Sequence, residues 1–210
     1  MTAQIMDSVI LEDDLERYAL VGISGKPLFK PEAHGLTPVM IHTACWRGWY
    51  VTYQVTHGQL TVLDLAVGLN EAQTALAEAG EGPLLEGRAP RKETYEAHVV
   101  GKEGPQTFDK TEWDYRNVGL PIPFSGGLLL GRDFIRELYV HMGFHPAWKY
   151  GTVIELLLRE GHVEDVRDVS LLMAERRESV RNAPSPDRPP TRPELEAWIK
   201  RTFSRDYGLN

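Results

Sequence analysis

Apolar and polar positions alternate at period two along Val51, Tyr53 and Val55, break at His57-Gly58, and resume with Leu60, Val62 and Asp64. Aromatic and β-branched residues on either side of a glycine-containing turn predict a β-hairpin. Gly58 tolerates the positive φ that such a turn demands. The same plan recurs at 153–166, where Val153-Ile154-Glu155-Leu156-Leu157-Leu158 meets Glu160-Gly161 and continues as His162-Val163-Glu164-Asp165-Val166. Trp46-Arg47 lies about a dozen residues before Gly58, and Trp148-Lys149 stands similarly before Gly161. Each glycine is followed at +2 and +5 by apolar residues (Leu60 and Leu63; Val163 and Val166), then by an acid, Asp64 or Asp168. Two similar half-sheets from an old duplication would give this pattern, and so would ordinary hairpin likeness.

Tyr95–Val100 and Trp113–Val118 are further extended segments, set among Gly and Pro clusters such as Gly80-Glu81-Gly82-Pro83 and Leu120-Pro121-Ile122-Pro123. Helices are fewer. Asn70 caps a predicted helix over Glu71–Ala79 that Gly80 stops. Asp133 heads a second, with Ile135, Leu138, Tyr139 and Met142 on one face and Gly143 at its end. Ser170 caps a third over Leu171–Val180. Residues 183–190 (Ala183-Pro184-Ser185-Pro186-Asp187-Arg188-Pro189-Pro190) read as a stiff, polyproline-like linker. Thr191-Arg192-Pro193-Glu194 is a capping box that opens a last helix, to about Ser204. Its stripe of Leu195, Trp198, Ile199 and Phe203 needs a surface, its own body in preference to a partner.

The expected architecture is therefore α+β and mainly antiparallel. It has one domain over 1–182, the linker at 183–190, and a helical appendage over 191–210. A body of this length buries enough surface to need no staple. The single cysteine, Cys45, precludes an intramolecular disulfide. The first twenty residues carry five acids and one Arg, unlike a secretory signal. Apolar runs such as Leu128–Leu130 are far short of the ~20 residues that span a bilayer. These points predict a cytoplasmic protein without a membrane partner. The net charge is −7; residues from Ser170 onward hold eight basic and six acidic side chains, so the remainder carries −9. An acidic body argues against nucleic acid and suits a basic protein partner or plain solubility.

Motifs for phosphate loops, nucleophile elbows, zinc helices and paired thiols are absent. Gly126-Gly127-Leu128-Leu129-Leu130-Gly131 precedes an apolar run instead of following a strand, so no dinucleotide cofactor is expected. Two dense segments remain. In the first, His42-Thr43-Ala44-Cys45-Trp46-Arg47-Gly48-Trp49-Tyr50, a strand would put His42 and Trp46 on one face and Arg47 and Trp49 on the other. Arginine among aromatic rings can clamp an anionic or planar ligand, or simply pair with an acid. Cys45 as nucleophile would need a histidine base on its own face; a buried, inert thiol fits better. In the second segment, Tyr139 to Trp148, His141 and His145 are four apart. That spacing gives two metal ligands only on a continuous helix, which Gly143 and Pro146 interrupt. No metal is expected there. The candidate ligand- or partner-binding residues are His42, Trp46, Arg47, Trp49, His141, His145 and Trp148.

These two segments resemble a family of uncharacterised bacterial proteins. The shared residues are Thr43-Ala44-Cys45-Trp46-Arg47-Gly48 with an aromatic residue, then Pro123-Phe124-Ser125-Gly126-Gly127. They continue through Asp133-Phe134-Ile135 to Tyr139-Val140-His141-Met142-Gly143-Phe144. The likeness runs from about Tyr18 to Ser170, with Trp49 where tyrosine would be expected. It implies one bacterial domain and brings no activity. Two classes of function survive. One is a non-catalytic binding or interaction module, of immunity or accessory type. The alternative is a small hydrolase or transferase using Arg47 with His42, His141 or His145.

Overall fold

The computed structural model describes residues 2–12, 14–101, 104–182, 190–202, 205 and 207. Its strands are β1 (Ser8–Leu11), β2 (Asp14–Gly25), β3 (Trp49–Thr56), β4 (Gln59–Val67), β5 (Arg91–Gly101), β6 (Gly104–Tyr115) and β7 (Leu120–Pro121). After these come β8 (Gly126–Phe134), β9 (Tyr150–Arg159) and β10 (His162–Asp168). The helices are α1 (Glu71–Glu78), α2 (Ser170–Arg181) and α3 (Arg192–Thr202). The fold is α+β, and its sheet pairing is mainly antiparallel. Among the described residues no helix is long and apolar enough to cross a membrane.

The chain divides into two compact units, Met1–Leu28 with Tyr53–Thr61 and Pro121–Asn210, and Phe29–Thr52 with Val62–Leu120. In the first unit the strand order runs β10-β9-β8-β2-β1 and on to the hairpin end of β3 and β4. It then closes on itself, because β10 also pairs with β4 at His162 and Gln59. Closure removes the open edges that would otherwise invite further pairing. In the second unit β4 pairs with β6, matching Leu65 to Tyr115 and Val67 to Trp113, and β6 forms a long hairpin with β5.

Both expected hairpins form, with the same turn chemistry. His57 and Gly58 have φ of 50° and 75°; Glu160 and Gly161 have 51° and 85°. The two turns also bond reciprocally within the first unit. The Leu60 N–H donates to the Gly161 carbonyl at 2.9 Å, and the Val163 N–H to the Gly58 carbonyl at 2.8 Å. Equivalent residues, two beyond each glycine, thus serve each other. This is the local two-fold relation that a repeated hairpin would produce.

A core in the first unit gathers Val21, Leu129, Ala147, Tyr150 and Val153, with Met6, Phe134, Met173 and Tyr207 packed against it. Leu128, Leu129 and Leu130 are all buried, so β8 is covered on both faces. That explains why its sequence is a continuous apolar run and not an alternation.

Helix α1 forms where expected, the Asn70 side chain accepting from the Gln73 N–H at 2.9 Å. Helix α2 forms too, but Ser170 is not its cap. The Ser170 hydroxyl takes the Val153 N–H at 3.0 Å, and the Asp168 carboxylate takes the Ser170 N–H at 2.8 Å. The helix expected after Asp133 does not form. Asp133 sits at φ 59° with its carboxylate accepting from the Thr152 hydroxyl at 2.6 Å. Cross-strand pairing of Phe134 with Tyr150 holds the chain extended, and only a 3₁₀ turn, Arg136–Leu138, follows. Tertiary pairing overrides the helical period here.

The expected linker falls at 183–189, outside the described residues, apart from exposed Pro190. At the start of α3, Glu194 accepts both the N–H and the hydroxyl of Thr191, at 2.7 and 2.8 Å. Of the stripe residues, Leu195 and Trp198 are 43% and 46% exposed, and Phe203 lies outside the described residues. Residues beyond the helix attach to the sheet. Ile23 of β2 receives Tyr207 N–H on its carbonyl and gives its own N–H to the Arg205 carbonyl, at 3.1 and 2.8 Å. Gly22 makes room for this, since a Cβ there would lie 2.9 Å from both the Tyr207 ring and Leu129. Arg205 pairs with buried Asp7 at 2.8 Å and covers the Phe144 ring at 4.9 Å.

Candidate functional site

Two of the first unit's buried polar side chains, His145 and Lys149, lie between the end of β8 and the start of β9. Phe134 ends β8, a loop carries Tyr139, His141 and His145, and the 3₁₀ turn Ala147–Lys149 leads into Tyr150. The Ile135 N–H bonds to the Lys149 carbonyl at 2.9 Å, which closes the loop at its base. The Gln4 N–H, donating to the Gly143 carbonyl at 2.8 Å, steadies the far side. One of the residues that suggested a helix here, Tyr139, instead packs with Phe134 against His145. The Phe134 and Tyr139 rings lie 4.8 and 5.1 Å from its imidazole, centroid to centroid.

Two buried nitrogen bases meet inside this ring of aromatics. His145 is 8% exposed and Lys149 5% exposed, and Lys149 Nζ lies 3.5 Å from His145 Nδ1. Lys149 Nζ also stands 5.4 Å from the Trp148 ring centroid. Among the described residues no carboxylate is paired with Lys149. Burial pushes the Lys149 amine below its ordinary value. Burial, and then the Lys149 charge, push His145 down to about 4, so the imidazole is neutral at pH 7. With Lys149 as ammonium donating to Nδ1, the neutral ring carries its hydrogen on Nε2. That buried Nε2 has no hydrogen-bond partner. In that protonation state the pair presents N–H donors with no oxygen accepting from them among the described residues. Such groups are costly to bury unless something else supplies the acceptor.

His141, by contrast, is exposed and edge-on to Tyr139, whose hydroxyl is 3.4 Å from His141 Nδ1. The Trp148 carbonyl accepts from Arg177 of α2 at 2.8 Å. Of the three expected residues in this segment, His145 and Trp148 flank Lys149 and His141 stands outside. Lys149 and Phe134 were not anticipated. Lys149 had one available signal, its correspondence to Arg47 ahead of the matching hairpin.

In the second unit the segment over 42–48 is a turn and not the strand considered above. β3 starts only at Trp49. The cause is a tight crossing: Gly48 has φ 78°, and a Cβ there would lie 2.3 Å from the Val39 carbonyl oxygen. His42 Nδ1 accepts from the Ala44 N–H at 3.1 Å, and Cys45 pairs back to His42. Arg47 stacks on the Trp49 ring at 4.2 Å and donates from Nε to the Trp49 carbonyl at 2.6 Å. Trp46 points outward, half exposed. Cys45 is buried, its Sγ 3.6 Å from the Trp49 carbonyl oxygen. Burial is the largest influence on the thiol and pushes it up, away from the reactive thiolate.

Sequence reasoning missed a pair of acids in this unit. Glu112 and Asp114 alternate along β6 with Trp113 and Tyr115, a pattern that reads as a solvated face, yet both acids are buried. Tyr50 donates to Glu112 Oε1 at 2.7 Å, and Arg116 pairs with Asp114. Burial, opposed by Arg116 and aided by Glu112 and Glu93, pushes Asp114 up to about 6. Glu112 Oε2 and Asp114 Oδ1 have no hydrogen-bond partner among the described residues. Among the described residues no three His, Cys, Asp or Glu side chains are grouped to hold a metal ion.

The seven expected residues thus fall into two groups, one in each unit. No protein-family model, no curated protein and no solved structure matches the chain.

Proposed function

We propose that the protein is a non-catalytic binding module, an accessory or immunity-type protein of the bacterial cytoplasm, and that its ligand seats at Lys149 and His145. The observation that carries this reading is a buried lysine with no carboxylate paired to it among the described residues, beside a histidine whose Nε2 has no partner among them. A fold that keeps such groups pays in stability and retains them for what they bind. The aromatic surround of Phe134, Tyr139 and Trp148 suits the apolar part of a small ligand.

Support for catalysis is weaker. Cys45 and His42 do not form a nucleophile–base couple, because His42 Nδ1 accepts from the Ala44 amide and the thiol faces the Trp49 carbonyl. Arg47, the cation of the alternative hydrolase or transferase reading, is engaged by the Trp49 ring and carbonyl.

Native mass spectrometry on protein isolated gently from the producing cell tests the reading. A small bound mass on the wild type that is lost in Lys149→Met supports it. A bound mass that persists unchanged in Lys149→Met, or a wild type that carries none, overturns it.

A further inference from the structure

We infer that the Lys149–His145 centre takes a small oxyanion, a carboxylate or a phosphate, and takes it up together with a proton. This rests on the binding reading above and adds the chemistry of the ligand. Lys149 Nζ is 3.5 Å from His145 Nδ1, both side chains are more than nine-tenths buried, and His145 Nε2 has no partner. The centre has N–H groups to give, and an anionic oxygen is the acceptor that uses them best.

Among the described residues no carboxylate lies within ion-pair distance of Lys149; Glu137 of the loop and Glu175 and Glu178 of α2 are not paired with it. From α2 comes Arg177, whose guanidinium donates to the Trp148 and Tyr150 carbonyls at 2.8 Å each. From β8 comes Asp133, whose carboxylate is held by Thr152 and lies 3.9 Å from Arg132 Nε. The loop adds Tyr139 and His141, bonded to one another, and β9 adds Tyr150, whose hydroxyl donates to Met6 Sδ at 3.2 Å. An arriving anion is therefore the first counter-charge to pair with the amine among the described residues. Opposite charge favours the ammonium form, so binding draws a proton onto Lys149 whenever the empty site is partly deprotonated. The apolar Phe134 and Tyr139 rings beside His145 suit a carboxylate with an apolar body over a compact inorganic anion.

The probes are sodium benzoate, sodium acetate and inorganic phosphate, each titrated calorimetrically into the full chain from pH 7 to 10. Repeating each titration in two buffers of different ionisation enthalpy counts the protons taken up. Benzoate should bind more tightly than acetate, with proton uptake that grows as the pH rises through this range. Lys149→Met should weaken binding about ten- to a hundredfold, the worth of one charge-assisted hydrogen bond. Phosphate binding more tightly than benzoate reassigns the source and overturns the preference for a carboxylate with an apolar body. Binding without proton uptake at any pH overturns the coupling, a result that does not depend on whether the variant folds. If none of the three anions binds while native mass spectrometry still shows a Lys149-dependent ligand, the anion assignment fails and the binding module stands.

Discussion

Removing the Arg205 side chain tests how firmly the end of the chain is anchored. Arg205 pairs with Asp7 at 2.8 Å, and the two side chains are 13% and 2% exposed. Arg205→Ala deprives a buried carboxylate of its guanidinium and uncovers the Phe144 ring. Breaking a buried pair from one side costs about 3–5 kcal/mol. For a protein of this size each kcal/mol moves the melting temperature by ~2–4 °C, so Tm should fall by roughly 6–20 °C. Thermal melts followed by circular dichroism give the number. A double variant, Asp7→Asn with Arg205→Met, should recover much of the loss, because the buried negative charge is removed together with its guanidinium. The reasoning fails if Arg205→Ala costs less than about 1 kcal/mol, the worth of a solvent-screened surface pair.

Lys149→Met should raise Tm in anion-free buffer, because an uncompensated buried amine gives way to an apolar side chain of similar length; a lowered Tm would contradict the account of Lys149. Asp114 is pushed up to about 6, so its penalty is absent near pH 4 and grows as the pH rises through 6. Asp114→Asn should accordingly be more stable than wild type at pH 7 and lose that advantage by pH 4 in parallel melts. His145, pushed down to about 4, acts in the opposite sense: the unfolded chain binds a proton first, so its contribution to stability is lost as the pH falls from about 6.5 to about 4. His145→Gln should flatten that part of the stability–pH curve. Gly58→Ala meets open space at φ 75° and should cost about 1–2 kcal/mol. Gly161→Ala would put a Cβ 2.4 Å from the Ile122 carbonyl oxygen, and should cost distinctly more in the same denaturation assay.

What could be read in the sequence was governed by local rules. Turn glycines at 58 and 161 and the Asn70 cap act over a few residues, so both hairpins and α1 were legible. The segment after Asp133 was not, because its conformation is decided by pairing with Thr152 and Tyr150, partners remote in sequence. Lys149 was overlooked for a related reason. A lysine reads as solvated until the fold buries it, and only the position of Trp148-Lys149 before its hairpin hinted otherwise. Glu112 and Asp114 likewise mimic a wet strand face. On α3 the stripe residues Leu195 and Trp198 stay half exposed, while the bonds of Arg205 and Tyr207 to Ile23 carry no sequence signal.

The reciprocal bonds between the two hairpin turns have a consequence for the order of folding. Leu60 and Val163 join segments roughly a hundred residues apart, and each hairpin can form alone before the other exists. Local turns close in microseconds, whereas a contact of that separation waits on a large loss of chain entropy. The ring of strands in the first unit should therefore be completed late, after both hairpins are in place. By the same logic that junction is an early place to open, and the Leu60 and Val163 amides should exchange with solvent together, ahead of those inside either hairpin.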